Sequence, residues 1–384
     1  MVPLFALAHF AHHLVTALPV PLLPFIRDEF ALDYTQAGVV IMAFNLAYGI
    51  SQLPSGWLAD HIGPRILLTI GTVGVALAGL LVGLSQTYIM AVVFLALMGV
   101  LGGGYHPSAA PLVSRAVEPK NQGRALGFHQ MGGSGSFFLA PLISAGIAAT
   151  WGWRAPFIWL AIPTALFGIT FYILLGRRSE INRLPKETPE YHDKTQSLSN
   201  YLPQLVPFMV LSAFTQAINF SIIAFIPLFM VDHFGVAEAS AAASISIIYS
   251  AGLWASPLGG HMSDRLGKVR VVLVTCLITG PLFWLLNVVP YSLGIGALLL
   301  MIGIVMHIRM PSSESYIISQ TPEHRRSTVL GIYYFSNMET GGILSPVIGS
   351  CIDRFGFYSS FTGAGIATVM VTLVCAVFLW RTHD

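Results

Sequence analysis

The chain has 384 residues, 55% hydrophobic and 9% charged, with a net charge of +2. Ordinary soluble domains carry about 25% charged residues, so this composition excludes a water-soluble globular protein and makes the bilayer the solvent. The charge balance leaves no footprint for nucleic acid, and Cys276, Cys351 and Cys375 sit in apolar stretches without metal-type or disulfide spacing.

A membrane-crossing helix needs about 20 mainly apolar residues. Twelve such stretches are expected, near 2–26, 36–58, 66–84, 88–113, 124–148, 154–175, 203–231, 240–259, 270–287, 292–318, 327–349 and 357–380. The first has no basic leader or small-residue cleavage site, so it reads as a retained helix rather than a signal peptide. Pro19, Pro21 and Pro24 are expected to bend it. Residues 176–200 are polar, charged and interrupted by Pro185 and Pro189. They read as a cytoplasmic linker between an N-terminal bundle, 1–175, and a C-terminal bundle, 201–384. With both termini placed in the cytoplasm, the cytoplasmic loops and tail hold fifteen of the lysines and arginines. The outer loops then hold three, Arg27, Arg154 and Arg354, as the positive-inside rule requires.

The two halves repeat at a near-constant offset. Gly56, Asp60 and Gly63 recur 204 residues later as Gly260, Asp264 and Gly267, and Pro107 recurs as Pro311. The first stretch aligns at 203 residues, which sets the polar stripe His9, His12, His13 and Thr16 against Ser212, Thr215, Gln216 and Asn219. Each stripe follows the i, i+3, i+4, i+7 spacing of one helix face. Two parallel six-helix halves are a transporter architecture in which substrate binds at their interface near mid-membrane.

The segments Gly56-Trp-Leu-Ala-Asp60-His-Ile-Gly63-Pro-Arg65 and Gly260-His-Met-Ser-Asp264-Arg265-Leu-Gly267-Lys268 resemble the loop motif of the major facilitator superfamily. The resemblance covers the whole chain. It implies an all-α membrane protein of twelve transmembrane helices in two pseudo-symmetric six-helix bundles. It also implies that Gly56, Asp60, Gly63, Arg65, Gly260, Asp264, Arg265 and Gly267 act as a cytoplasmic latch. A narrower resemblance runs through His9-Phe10, His106-Pro107-Ser108, Arg115, Gln130-Met-Gly-Gly133 and Pro141. These residues are similar to the fosmidomycin-resistance branch of exporters, which implies proton-driven efflux of a small compound, anions included. The stretch Leu97–Gly104 lacks the arginine common in proton–drug antiporters of the superfamily, and their Gly-Pro motif reads Ala140-Pro141 here.

Arg309, Glu314 and Glu339 lie inside apolar stretches, where a charge costs about 2.5–3.5 kcal/mol. Arg309 suits a carboxylate, phosphonate or phosphate because its fork of donors binds such groups bidentately. Glu339, on the next stretch, is the expected partner of Arg309. The expected substrate-binding set is Arg309, His106, His129, Gln130, Gln216, Asn219, Tyr333 and Asn337. The expected proton-coupling set is Glu339, Glu314, His9, His12, His13 and His307, since imidazoles and desolvated carboxyls titrate near neutrality. The opposing readings are a structural Arg–Glu pair and neutral, hydrogen-bonded interior histidines. Gly102–Gly104 with Gly132, Gly133 and Gly135 read as close helix packing rather than a phosphate loop.

The expected function is secondary active transport by alternating access, as proton-coupled export of a small organic compound from the cytoplasm. Import of an organic anion, or transport of a metal or metal chelate through the histidines, stays open. No nucleophile–base–metal constellation marks an enzyme. The expected setting is a monomer in the cytoplasmic membrane, with small-molecule substrate, protons and lipid as partners and no cofactor.

Overall fold

The computed structural model describes residues 1–118, 121–177, 202–321 and 326–379. The expected linker lies almost wholly outside them. Among the described residues the protein is all helix. Nine helices are long and apolar enough to cross a membrane, and a bent pair makes a tenth crossing.

The chain starts with α1 (Val2–Thr16), and the three prolines expected to bend it fall in the turn before α2 (Leu23–Phe30) or at its start. The α3 helix (Tyr34–Ile62) opens with a capping box in which Asp33 and Gln36 each accept the other's backbone N–H. Next, α4 (Pro64–Thr69) passes through a π-helical turn, Ile70–Gly74, into α5 (Val75–Gly83). Then α6 (Tyr88–Gly102) and α7 (Tyr105–Arg115) form one crossing broken at Gly103-Gly104. Single helices follow as α8 (Gln122–Trp151), α9 (Arg154–Gly176) and α10 (Leu202–Phe234). The bent pair is α11 (Glu238–Ser250) with α12 (Ala255–Leu266), at 44°. The last three are α13 (Lys268–Leu285), α14 (Leu293–Gln320) and α15 (Arg326–Leu379). Gly356, at φ 75°, divides α15 into two crossings. Among the described residues α1 adds a shorter apolar helix to these crossings.

Cα packing groups the chain into two compact units. Unit 1 takes the described residues up to Arg177 with Ile223–Ser246 and Ser345–Gly349; unit 2 takes the rest. In unit 1 a core of Phe5, Ala8, Leu68, Tyr105, Leu112, Ala125, Phe171 and Leu175 is buried. In unit 2 the core contains Phe208, Leu211, Val272, Tyr316, Val329, Cys375 and Leu379. These residues stand 203 or 204 positions after Phe5, Ala8, Leu68, Leu112, Ala125, Phe171 and Leu175, so the sequence repeat is also a repeat of packing.

Charges gather where the apolar stretches of unit 1 end. Arg27 donates to Asp28 at 2.7 Å and to Asp232, which also accepts from the Tyr34 hydroxyl at 2.6 Å. Arg154 and the Trp153 indole donate to Glu29. Burial alone pushes the Glu29 carboxyl up, but these hydrogen bonds outweigh it and hold the group below the usual carboxylate range.

Candidate functional site

In unit 1, α1 carries His9, His12 and His13, all buried. The single polar face expected from their spacing divides in two. His12 Nδ1 donates to the Gly71 carbonyl at 2.8 Å, and its Nε2 accepts from the Tyr48 hydroxyl at 3.1 Å. Gly71 belongs to the π-helical turn, whose i→i+5 pattern departs from the α-helical ladder and leaves carbonyl capacity for a side chain. Both His12 nitrogens are therefore committed. His9 and His13 belong to the other group. The His9 ring stacks on His129 at 4.3 Å and meets His106 edge-on at 5.1 Å. The His13 ring lies 4.8 Å from His9 and 5.4 Å from His106.

Glycine makes this cluster possible. A Cβ on Gly133 would stand 2.6 Å from the His9 ring, and one on Gly132 would run into the Ala6 carbonyl, so α8 lies directly on α1. That approach lets His9 Nδ1 donate to the His129 carbonyl at 2.9 Å, while His129 Nδ1 donates to the Phe5 carbonyl at 3.0 Å. Gly102 brings α6 against the Tyr48 ring in the same way. The break that follows sets Tyr105 and His106 at the start of α7. Tyr105 stacks on His12 at 4.3 Å, and its hydroxyl is buried without a partner among the described residues. Gln130, beside His129, is exposed.

In unit 2, Arg309 on α14 is 1% exposed. Its Nη1 donates to Ser212 Oγ at 3.0 Å and to the Ser212 carbonyl at 3.4 Å, and its Nη2 donates to Gln216 Oε1. Its Nε has no partner among the described residues. All these acceptors are neutral and lie on the polar stripe of α10. The Ser212 hydroxyl also reaches the Tyr333 hydroxyl at 3.4 Å, and Asn337 donates to the Tyr333 carbonyl at 2.7 Å. Tyr333 lies within the field of both Arg309 and Glu314. Asn219 is buried one turn along the stripe from Gln216, and Glu314 is half-buried on α14. His307 takes no part in the Arg309 hydrogen bonds; its Nδ1 donates to the Gly303 carbonyl on its own helix at 2.8 Å. Glu339 falls in α15, but its side chain lies outside the described residues, and with it the expected Arg309–Glu339 pair.

The latch motif has one structural signature in each unit. Gly63 ends α3 at φ 90°, ψ 140°, and Gly267 ends α12 at φ 92°, ψ 138°, a region that L residues avoid. Arg65 donates to the Tyr172 carbonyl at 2.7 Å and lies over the Tyr172 ring at 3.8 Å. Gly260 is half-buried, while Asp264 and Arg265 are exposed. The surroundings of Gly56 and the side chain of Asp60 lie outside the described residues.

Tyr48 and Tyr105 were not expected at the site. Tyr105 was within reach of the repeat, because it stands 204 residues before Arg309. Tyr48 has no such marker; only packing brings its hydroxyl to His12.

A family model described as Major Facilitator Superfamily matches residues 5–338 and again 208–384. The chain is 26% identical over 374 residues to the multidrug resistance protein MdtG of Klebsiella pneumoniae strain 342, covering 94% of this chain and 88% of that protein. It is also 26% identical to MdtG of Escherichia coli O6:K15:H31, covering 95% and 90%. Among solved structures, a bacterial homologue of the human lysosomal transporter Spinster superposes with a TM-score of 0.80 at 17% identity, covering 98% and 95%. A D-xylose–proton symporter superposes with a TM-score of 0.76 at 17% identity, covering 100% and 97%.

Proposed function

The chain belongs to the Major Facilitator Superfamily and is a multi-pass membrane transporter of small molecules, not an enzyme; on that premise we propose that it exports a small organic anion across the cytoplasmic membrane in exchange for protons. The buried Arg309 guanidinium carries this reading. Its hydrogen-bond acceptors among the described residues are the neutral groups of Ser212 and Gln216. A carboxylate, phosphonate or phosphate on the cargo binds such a fork of donors bidentately. In unit 2, Gln216, Asn219, Tyr333 and Asn337 orient the cargo beside Arg309; in unit 1, His106, His129 and Gln130 are the substrate-binding residues. Glu339 and Glu314 carry the proton, with the buried histidines as relays. The two glycine-ended motifs, with Asp60, Arg65, Asp264 and Arg265, latch the cytoplasmic side, where both termini lie. The protein works as a monomer. The MdtG relatives support an outward direction by their multidrug-resistance name. The stretch Leu97–Gly104, which lacks arginine, favours anion import as the alternative.

Proteoliposomes separate the two directions. Under antiport, an acidic lumen drives accumulation of an organic phosphonate or carboxylate from the outside; under symport, an acidic exterior does so. Glu339→Gln is expected to abolish gradient-driven accumulation while sparing counterflow exchange. Undiminished gradient-driven accumulation in that variant would remove Glu339 from the coupling mechanism.

A further inference from the structure

Three histidines of unit 1, to which the export reading gives only relay and contact roles, form a group with a chemistry of its own. One imidazole nitrogen from each of His9, His13 and His106 lies within 4.8 Å of the other two. His9 is 3% exposed, and its Nδ1 is taken by the His129 carbonyl, so the nitrogen it has left to offer is Nε2. That atom is buried without a hydrogen-bond partner among the described residues. A ring that donates Nδ1–H to a carbonyl keeps its Nε2 lone pair in place, the arrangement found behind most metal-bound histidines. His13 Nδ1 lies 3.0 Å from the Thr16 hydroxyl, a group that accepts from Nδ1–H when Nε2 binds a metal. His12 is not part of the group, because Gly71 and Tyr48 occupy both its nitrogens.

We propose that His9, His13 and His106 form a binding site for a divalent transition-metal ion, with the fourth position open to water or an anion. Neutral imidazole suits zinc, cobalt, nickel and copper and disfavours magnesium and calcium, which take oxygen ligands. Three histidine ligands with a vacant fourth position describe an exchangeable site; structural zinc sites close all four positions with protein. Nitrogens bound to one tetrahedral ion stand about 3.3 Å apart for bonds of about 2.0–2.1 Å. The three rings must therefore draw inward by rotamer adjustment. The His129 ring stacked on His9 and the Phe137 ring 4.8 Å from His13 bound that movement. The Gly133 surface touching His9 leaves no room for the ring to retreat towards α8.

The test uses the full-length transporter in detergent, purified without a polyhistidine tag and titrated with cobalt(II). One equivalent of cobalt is expected to bind with the intense visible absorption of a tetrahedral ion, and zinc is expected to displace it. His9→Ala, His13→Ala and His106→Ala are each expected to weaken cobalt binding by more than about 100-fold, beyond the loss usual for an outer partner. Gly133→Ala keeps all three ligands but displaces His9, and is expected to weaken binding by about tenfold. His12→Ala is expected to retain the tetrahedral spectrum, and a thermal melt of each metal-free variant reports whether it has folded. Absence of a tetrahedral signal in the wild type, its persistence in a folded His9→Ala/His106→Ala double variant, or its equal loss in folded His12→Ala overturns the proposal. Because the measurement needs no transport, its failure leaves the export reading untouched, and the converse also holds.

Discussion

The histidine cluster of unit 1 and the Arg309 network of unit 2 are built at equivalent positions of a duplicated helix set, yet they carry opposite chemistry. His9 corresponds to Ser212, His13 to Gln216, Tyr105 to Arg309 and His129 to Tyr333. In unit 1 the α1 residue donates to the His129 backbone; in unit 2 the α10 residue meets the Tyr333 side chain and the buried guanidinium. The helix scaffold thus fixes where polar groups meet, while residue identity decides what they do. One copy presents neutral nitrogen lone pairs, the ligands of a cation. The other presents N–H donors around a permanent positive charge, the ligands of an anion. A duplicated bundle can in this way hold two sites of opposite preference without changing its backbone.

The most severe way to break this comparison is to remove the charge. Arg309→Ala is expected to cost about 2–5 kcal/mol of interaction with an anionic cargo. It should therefore reduce kcat/KM for that anion by roughly 30-fold or more while sparing a neutral one. Equal losses on both cargoes in transport assays would make Arg309 a structural residue. Gln216→Ala removes one acceptor from the guanidinium and is expected to lower anion transport by roughly tenfold, the weight of one hydrogen bond to a charged group. No change would mean that Gln216 does not position Arg309.

A milder perturbation compares packing in the two copies. Gly132 corresponds to Ser336. A side chain at Gly132 meets the Ala6 backbone, which cannot move aside, whereas Ser336 is half-buried and bonds back to Ile332 on its own helix. Gly132→Val is expected to destabilise by about 1–3 kcal/mol, visible as a lower midpoint of thermal inactivation, and Ser336→Val to change it little. Similar shifts would mean that the first helix pair is no tighter than its repeat.

The smallest expected effect concerns pH. Glu29 and Asp232 are equivalent positions, and each carboxylate is held by an arginine, Arg154 and Arg27 respectively. The folded Glu29 carboxyl sits below its ordinary range, so its contribution to stability is complete above the unfolded-state pKa. It is lost as pH falls through the folded value. Wild-type protein is therefore expected to lose its stability advantage over Glu29→Gln on acidification through the carboxylate range. A difference that stays constant across that range in pH-dependent melts would show that Arg154 does not depend on the Glu29 charge.

Much of the architecture could be read before any coordinates. Hydrophobic length located the crossings, and the duplicated Gly-x-x-x-Asp segment located the repeat, because both signals are local in sequence. The polar stripes of α1 and α10 were legible for the same reason, and Gln216 does meet Arg309. The division of the first stripe was not. It depends on the π-helical turn offering Gly71 to His12 and on Gly132 and Gly133 admitting α8 onto the opposite side, and i, i+3, i+4 spacing contains neither. Adjacency of sequential helices suggests a carboxylate on the next helix, Glu339, as a partner of Arg309; its side chain lies outside the described residues. The Arg309 contacts among the described residues come from α10, which is remote in sequence and reaches Arg309 through tertiary packing.

The paired dihedral angles of Gly63 and Gly267 carry a last consequence. A side-chain carbon placed on Gly63 would meet no atom within 4 Å, so bulk does not reserve this position for glycine. Backbone torsion does: φ 90° with ψ 140° is a combination that a residue carrying a side-chain carbon does not readily adopt. Gly63→Ala should therefore destabilise although nothing blocks its methyl group, which makes the turn after α3 a selector of torsion rather than of size.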